Sequence, residues 1–283
     1  MTAAVETARA KLNLSLDVTG RRADGYHLLS MVCQTVTLAD TLRFARGPGG
    51  LRVACTGAPE VPDGPENLVY RAAEAFFSAT GERDRNVAIT VEKRIPSQAG
   101  LGGGSADAAA ALRGLCRLYG HPLAMERLCA LAARVGADVP FCVQGGTALA
   151  QGVGERLTPL RPMPRCGIVI CKPPVGISTP DAYRKIDSSP CPQTRYTPGV
   201  LQALENGSLE ALAAALGNCF ADVLRVPAVD ALAARLREAG ALGACMTGSG
   251  SAVFGLFPHA ADARRAAGAL AGAGTLAFAC APE

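Results

Sequence analysis

Residues 87–115 read VAITVEKRIPSQAGLGGGSADAAAALRGL, and this stretch decides what kind of chain it is. Val87, Ile89 and Val91 alternate with other residues up to Ile95, the period of a half-buried strand. Gly100, Gly102, Gly103 and Gly104 then enclose only Leu101, and an alanine-rich run with helical character follows over residues 105–119. A loop without Cβ atoms takes positive φ and turns several backbone N–H groups on one anion. A helix starting at Ser105 would aim its own free amides at the same point. A phosphate cradle is therefore expected, and a slack linker is not, because ordered elements abut the loop on both sides. The spacing is neither G-x-x-x-x-G-K-[ST] nor G-x-G-x-x-G, so a third architecture is required.

Outward from the loop, strands are expected over residues 8–18, 31–44 and 51–55, with Gly20 and Gly25 punctuating the turn after the first. Helices are expected over 67–78 and 124–135, the second closed by Gly136 as a C-cap. Short strands over 141–143 and 147–150 lead to PLRPMPR at residues 159–165, the best candidate boundary, which gives lobes of 1–157 and 158–283. Beyond it come a buried strand over 167–171 and a helix start with Thr179 as N-cap and Pro180 in the first turn. Helices over 209–220, 228–239 and 260–270 follow, and MTGSGSAVFGLF at 246–257 runs into a strand. The irregular alternation predicts α+β lobes rather than a doubly wound sheet.

Composition narrows the function. The 283 residues suffice for one large domain or two ordinary ones, and 49% hydrophobic content supports a full core packed with Ala, Leu and Val, since no Trp occurs. A net charge of +4 gives no basic stripe for nucleic acid. Eleven cysteines without C-x-x-C pairs imply reduced, buried thiols in a cytoplasm. His27, His121 and His259 lie far apart, which disfavours zinc. The opening MTAAVETARAKLNL lacks an apolar core, and no run of about 18 apolar residues occurs, so neither signal peptide nor membrane span is expected. Only four of the 28 basic residues are Lys (Lys11, Lys93, Lys172 and Lys185), so a Lys beside a motif carries weight.

Three segments, AKLNLSLDVTGRRADGYHLL, IPSQAGLGGGSADAAAAL and MTGSGSAVFGLF, together resemble the three motifs of the GHMP kinase superfamily. The D-G-Y-H run at residues 24–27 and GADVPF at 136–141 are similar to the branch acting on 4-diphosphocytidyl-2-C-methyl-D-erythritol, in isoprenoid precursor synthesis by the non-mevalonate route. The resemblance implies a two-lobed α+β fold: an N-terminal α/β lobe of the ribosomal-S5-domain-2 type, a C-terminal ferredoxin-like lobe, and an active site between them. It implies an ATP-dependent kinase with small-molecule partners only, without nucleic-acid or membrane partners, cytoplasmic, and a monomer or weak homodimer. ATP is the co-substrate and Mg2+ is expected to travel with it, with no protein metal site.

Carried onto these residues, the resemblance makes Lys11 and Asp138 the catalytic pair. From the sequence alone, Lys11 would be a solvated strand residue and Asp138 a turn cap, just past a helix and before a strand. Pro96, Ser97, Gln98, Ala99, Gly100, Leu101, Gly102, Gly103, Gly104, Ser105 and Ala106 would hold the ATP phosphates; for the Ser105 side chain alone, an N-cap is the competing reading. Asn67 and Lys93 are assigned to the adenine or ribose, although a helix N-cap and a surface residue are equally natural. Tyr26 and His27 would read the cytidine, with Tyr26 and Tyr183 sandwiching the base; packing is the plainer reading of such a pair. Asn13, Thr179, Thr247, Gly248 and Ser249 complete the acceptor set. Two departures stand out: G-L-G-G-G-S replaces the common G-L-G-S-S, and Ala106 stands where a second Ser is frequent. The alternatives are a homoserine or mevalonate type of kinase, distinguished by the absence of D-G-Y-H, and a non-catalytic ligand sensor on the same fold.

Overall fold

The expected first strand is much longer than its apolar alternation suggests. In the computed structural model, which describes residues 3–189 and 195–283, β1 runs Ala3–Arg21 and β2 runs His27–Arg46 around a turn at Gly25. From Lys11 to Asp17 the odd positions are Lys, Asn, Ser and Asp and the even ones Leu, yet both faces are buried. Each polar residue on that face must therefore find a specific partner.

The chain forms two compact units. The first gathers the described residues of Met1–Lys11, Ala39–Ser97 and Gly102–Gly145, and the second those of Leu12–Leu38, Gln98–Leu101 and Gly146–Glu283. In the first, β4 (Val87–Glu92) pairs antiparallel with the end of β2, Thr41 opposite Glu92, and parallel with β3 (Arg52–Thr56). Four helices accompany them: α1 (Leu68–Thr80), α2 (Gly103–Tyr119), α3 (Met125–Ala133) and α4 (Val139–Gln144). The alanines of α2 are buried from Ala108 to Ala111. At Gly114 an added Cβ would lie 2.3 Å from the Phe44 ring, so close packing here depends on small residues.

In the second unit, β2 pairs antiparallel with β5 (Thr147–Gly152), which pairs with β6 (Arg156–Pro159). β7 (Gly167–Lys172) is followed by α5 (Thr179–Asp187), α6 (Thr197–Asn206) and α7 (Leu209–Ala215). β8 (Gly217–Asn218) runs parallel to β1, Ser15 opposite Gly217, and α8 (Cys219–Leu224) follows. Then come α9 (Pro227–Glu238), β9 (Gly243–Met246), β10 (Val253–Phe257), α10 (Ala260–Leu270) and β11 (Leu276–Cys280). An antiparallel sheet of order β11-β7-β10-β9 carries α9 and α10. Gly167 brings α10 close, since a Cβ there would lie 2.7 Å from Ala263 Cβ.

Several expectations need correction. Residues 141–143 are helical, not a strand: Pro140 sits in the first turn of α4, where its missing N–H costs nothing, and so short an apolar run fits either period. The helix expected over 209–220 is broken at Leu216, whose ψ of 137° is extended, because Gly217 and Asn218 join β1. Gly217 lies so close to the Tyr196 ring that no Cβ fits between them. Helix α6 was not anticipated; its first turn is fixed by Asp17, which accepts from the N–H groups of Arg195, Tyr196 and Thr197. Helix α2 begins at Gly103 rather than Ser105, Arg134 rather than Gly136 caps α3, and Ser178 rather than Thr179 caps α5. Cys33, Cys166, Cys171, Cys219 and Cys245 are buried, and burial pushes the Cys166 and Cys245 thiols up to about 12; Cys191 lies outside the described residues.

Candidate active site

The glycine loop joins β4 to α2 by a left-handed turn. Gly102, at φ +66°, is the N-cap of α2, and the Ala106 N–H returns to its carbonyl at 2.8 Å. The N–H groups of Gly103, Gly104 and Ser105 precede the first intrahelical bond and point along a 17-residue helix axis, an arrangement whose partial positive charge suits an anion. Ala106 itself is buried and its N–H is engaged. Ser105 lies in the first turn and is not the N-cap. Gln98 takes φ +50°, a left-handed conformation uncommon outside Gly.

The loop is also held from its flank. Ala99 O accepts from Ala252 N at 3.1 Å, and Gly100 O accepts from Thr247 Oγ1 at 3.3 Å. Thr247 Oγ1 in turn accepts from Asn13 N at 2.9 Å, and Asn218 Nδ2 donates to Met246 O and Gly248 O, 2.8 Å each. Asn13, Thr247 and Asn218 are all buried, so these bonds fix the backbone of residues 246–248 against the loop. Thr179 Oγ1 and Ser249 Oγ lie 2.9 Å apart on an exposed face.

Lys11 and Asp138 meet within one unit. Lys11 Nζ is 3.6 Å from Asp138 Oδ2, with the Lys side chain buried and the carboxylate 35% exposed. Asp138 occupies the N-cap position of α4 but makes no capping bond, so its carboxylate is not spent on the helix. The Lys11 stem passes beside Gly102, where an added Cβ would lie 3.0 Å from Cγ and 3.2 Å from Cε. The loop glycine thus makes room for the Lys11 stem.

Lys93 is not a surface residue. Its Nζ is held by Asp40 and, at 2.6 Å, by Asp107, with all three side chains buried. Asp40 Oδ1 also accepts from the N–H groups of Arg94 and Ile95, which lead into the glycine loop. Burial alone would lower the Lys93 pKa, but the two carboxylates outweigh it and raise it. Two carboxylates share one ammonium, and burial pushes Asp107 up to about 7 against the pull of Lys93. Asp107 Oδ1 is buried without a hydrogen-bond partner among the described residues. Asn67 is the N-cap of α1: its Oδ1 accepts from Val69 N at 2.8 Å and its Nδ2 donates to Pro62 O at 2.8 Å. Ser97 bonds Glu60, and that bond, before any other cause, lowers the Glu60 carboxyl.

At the acceptor residues, His27 Nε2 lies 2.7 Å from Asp187 Oδ1, and its ring stacks on Tyr183 at 4.5 Å and 21°. Phe220 supports Tyr183 edge-on at 5.0 Å. Tyr26 is 64% exposed and makes no ring contact among the described residues. Asp40, Asp107, Asp187 and Asn218 escaped the reading of the sequence. Only Asp187 left a signal there, since it follows Tyr183 by four residues and shares its helix face. Among the described residues no cluster of three or more His, Cys, Asp or Glu could hold a metal ion, and no helix is long and apolar enough to cross a membrane.

Comparison with known proteins places the chain in a family. Models of the GHMP kinases N terminal domain and GHMP kinases C terminal match residues 67–146 and 200–275. The chain is 46% identical over 263 residues to the 4-diphosphocytidyl-2-C-methyl-D-erythritol kinase of Pelotomaculum thermopropionicum, covering 92% of this chain and 91% of that one. It is 46% identical over 268 residues to that of Moorella thermoacetica, covering 93% of each. Among solved structures, a 4-(cytidine 5'-diphospho)-2C-methyl-D-erythritol kinase superposes with a TM-score of 0.84 at 39% identity over 99% of both chains. Homoserine kinase from Cytophaga hutchinsonii superposes with a TM-score of 0.81 at 19% identity, over 99% of this chain and 94% of that one, a likeness of fold.

Proposed function

Because the chain belongs to the GHMP kinases, and within them to the 4-diphosphocytidyl-2-C-methyl-D-erythritol kinase family, we propose that Lys11, Asp138 and the glycine loop carry out its phosphoryl transfer. The enzyme is an ATP-dependent small-molecule kinase of the α+β GHMP fold. Its reaction is phosphorylation of the 2-hydroxyl of 4-diphosphocytidyl-2-C-methyl-D-erythritol, on the non-mevalonate route to isopentenyl diphosphate.

The observation that carries the mechanism is the Lys11–Asp138 pair, buried at the ammonium and open at a carboxylate that caps nothing. Phosphoryl transfer asks a protein chiefly to align donor and acceptor and to neutralise charge. The amides of Gly103, Gly104 and Ser105 would hold the donor phosphates, and Pro96–Leu101 would shape the approach. Asp138 would orient the acceptor hydroxyl and take its proton as the oxygen–phosphorus bond forms, since a carboxylate is a weak base toward an alcohol. Lys11 would balance the charge growing on that oxygen. Lys93 and Asn67 would support the nucleotide side through the backbone they hold, because their polar atoms are already engaged.

Tyr26, His27 and Tyr183 would receive the cytosine, with Asn13, Thr179, Thr247, Gly248 and Ser249 along the rest of the acceptor. Mg2+, a hard cation preferring oxygen ligands, would arrive with the ATP phosphates. A lobe division at 157/158 remains a proposal: the two family-model matches fall on either side of it, whereas the second compact unit also takes in residues 12–38 and 98–101. We place the enzyme in the cytoplasm as a monomer or weak homodimer without nucleic-acid or membrane partners. Free CDP tests the cytidine reading. It should compete with the acceptor at millimolar concentration and not with ATP; failure to compete removes cytosine recognition from His27, Tyr26 and Tyr183.

A further inference from the structure

We propose that Asp187 sets the base selectivity of the acceptor site by fixing which ring nitrogen of His27 carries the proton. The inference rests on the reading that His27 faces the cytosine, and it adds a positioning residue that touches no substrate.

An ionised carboxylate only accepts hydrogen bonds, so the 2.7 Å contact makes Nε2 of His27 the donor. In the neutral imidazole the lone pair then belongs to Nδ1, which has no hydrogen-bond partner among the described residues. The side chain is 10% exposed and its ring lies face-on against Tyr183, so it cannot turn over to bring Cε1 and Cδ2 to the places of Nε2 and Nδ1 without leaving that stack. Asp187 is itself anchored: Arg21 Nη1 lies 3.4 Å from its other carboxylate oxygen. Its carboxyl is held below the usual carboxylate range, first by the His27 hydrogen bond and against a smaller effect of burial. Tyr183 and Asp187 sit four residues apart on α5, so one helix face supplies both the clamp and the tautomer lock.

The consequence is chemical. Cytosine presents an exocyclic amine, a donor, where uracil presents a carbonyl, an acceptor. A lone pair on Nδ1 accepts from the amine and opposes the carbonyl, so the device rejects a uridine-linked acceptor of the same shape. A site that leaves polar groups unpaired discriminates far more strongly than one that merely fits a shape.

The test is inhibition of the wild-type enzyme and of D187N and D187A by CDP and by UDP, all at one mildly alkaline pH. Wild type should prefer CDP by about a hundredfold. In D187N the amide can turn its N–H2 toward Nε2, moving the ring proton to Nδ1, and the preference should fall at least about tenfold. D187A, which leaves both tautomers open, should lie between. KM for ATP should stay within about twofold in both, which a general loss of structure would not allow. Retention of the wild-type ratio in either folded variant overturns the proposal, as does a parallel rise in KM for ATP. Failure of CDP to inhibit the wild type is a different result: it removes the cytidine reading itself.

Discussion

Asp138→Asn and Lys11→Ala are each expected to lower kcat by about 1000-fold or more while changing KM for ATP by less than about threefold. Asn keeps the volume of Asp138 and can still accept from the acceptor hydroxyl, but it cannot take the proton. Because Asp138 makes no capping bond to α4, the substitution leaves that helix intact. Lys11→Ala removes the charge 3.6 Å from the carboxylate and leaves a space beside Gly102. The two act as a unit, so the double variant should be little worse than the weaker single one. Pre-steady-state and steady-state rates with purified, folded variants check this. Near-normal turnover in either removes that residue from the mechanism.

Gly100→Ala should be far more damaging than Gly104→Ala, although both lie in the same loop. At Gly100 φ is +74° and an added Cβ would lie 2.1 Å from Thr247 O, with Gly248 Cα at 3.3 Å. These are backbone atoms pinned by Asn218 and Asn13, so they cannot step aside cheaply. Left-handed alanine and forced overpacking together cost at least about 3 kcal/mol. Tm should fall by about 6 °C or more, with KM for ATP rising at least about tenfold. At Gly104 the nearest atom is Leu68 Cδ1 at 3.3 Å and φ is not positive, so Tm should stay within about 2 °C. Thermal unfolding and ATP kinetics on both variants decide it. Equal behaviour of the two would mean that the loop is not held as described.

How much of this was legible in the sequence depends on the range of the interaction. The strand–glycine–helix stretch is local, and its reading needed only the absence of Cβ atoms and the onset of helical spacing. Helix α2 nonetheless begins two residues earlier, because Gly102 caps it by its backbone and leaves no side-chain signature. Lys11 and Asp138 were paired by resemblance, not by spacing, since 127 positions separate them. Asn67 carried two readings, and the plain N-cap accounts for its amide contacts. Lys93 carried two readings, a nucleotide contact and a surface residue, and neither includes its buried ion pairs, because its partners, Asp40 and Asp107, lie on two other elements and show no pattern with it. Helix α6 went unseen for the same reason: the residue that fixes its first turn, Asp17, stands on β1. Local chemistry is written along the chain; the partners of buried charges are written in the fold.

The glycine loop and its Lys–Asp pair are proposed to serve a diphosphocytidyl acceptor. This is tested most directly by ATP turnover with 4-diphosphocytidyl-2-C-methyl-D-erythritol, mevalonate and homoserine under one set of conditions. The expected kcat/KM is at least about 1000-fold higher for the diphosphocytidyl substrate than for either alternative. Comparable turnover of mevalonate or homoserine, or no ATP turnover with any of the three, would contradict it.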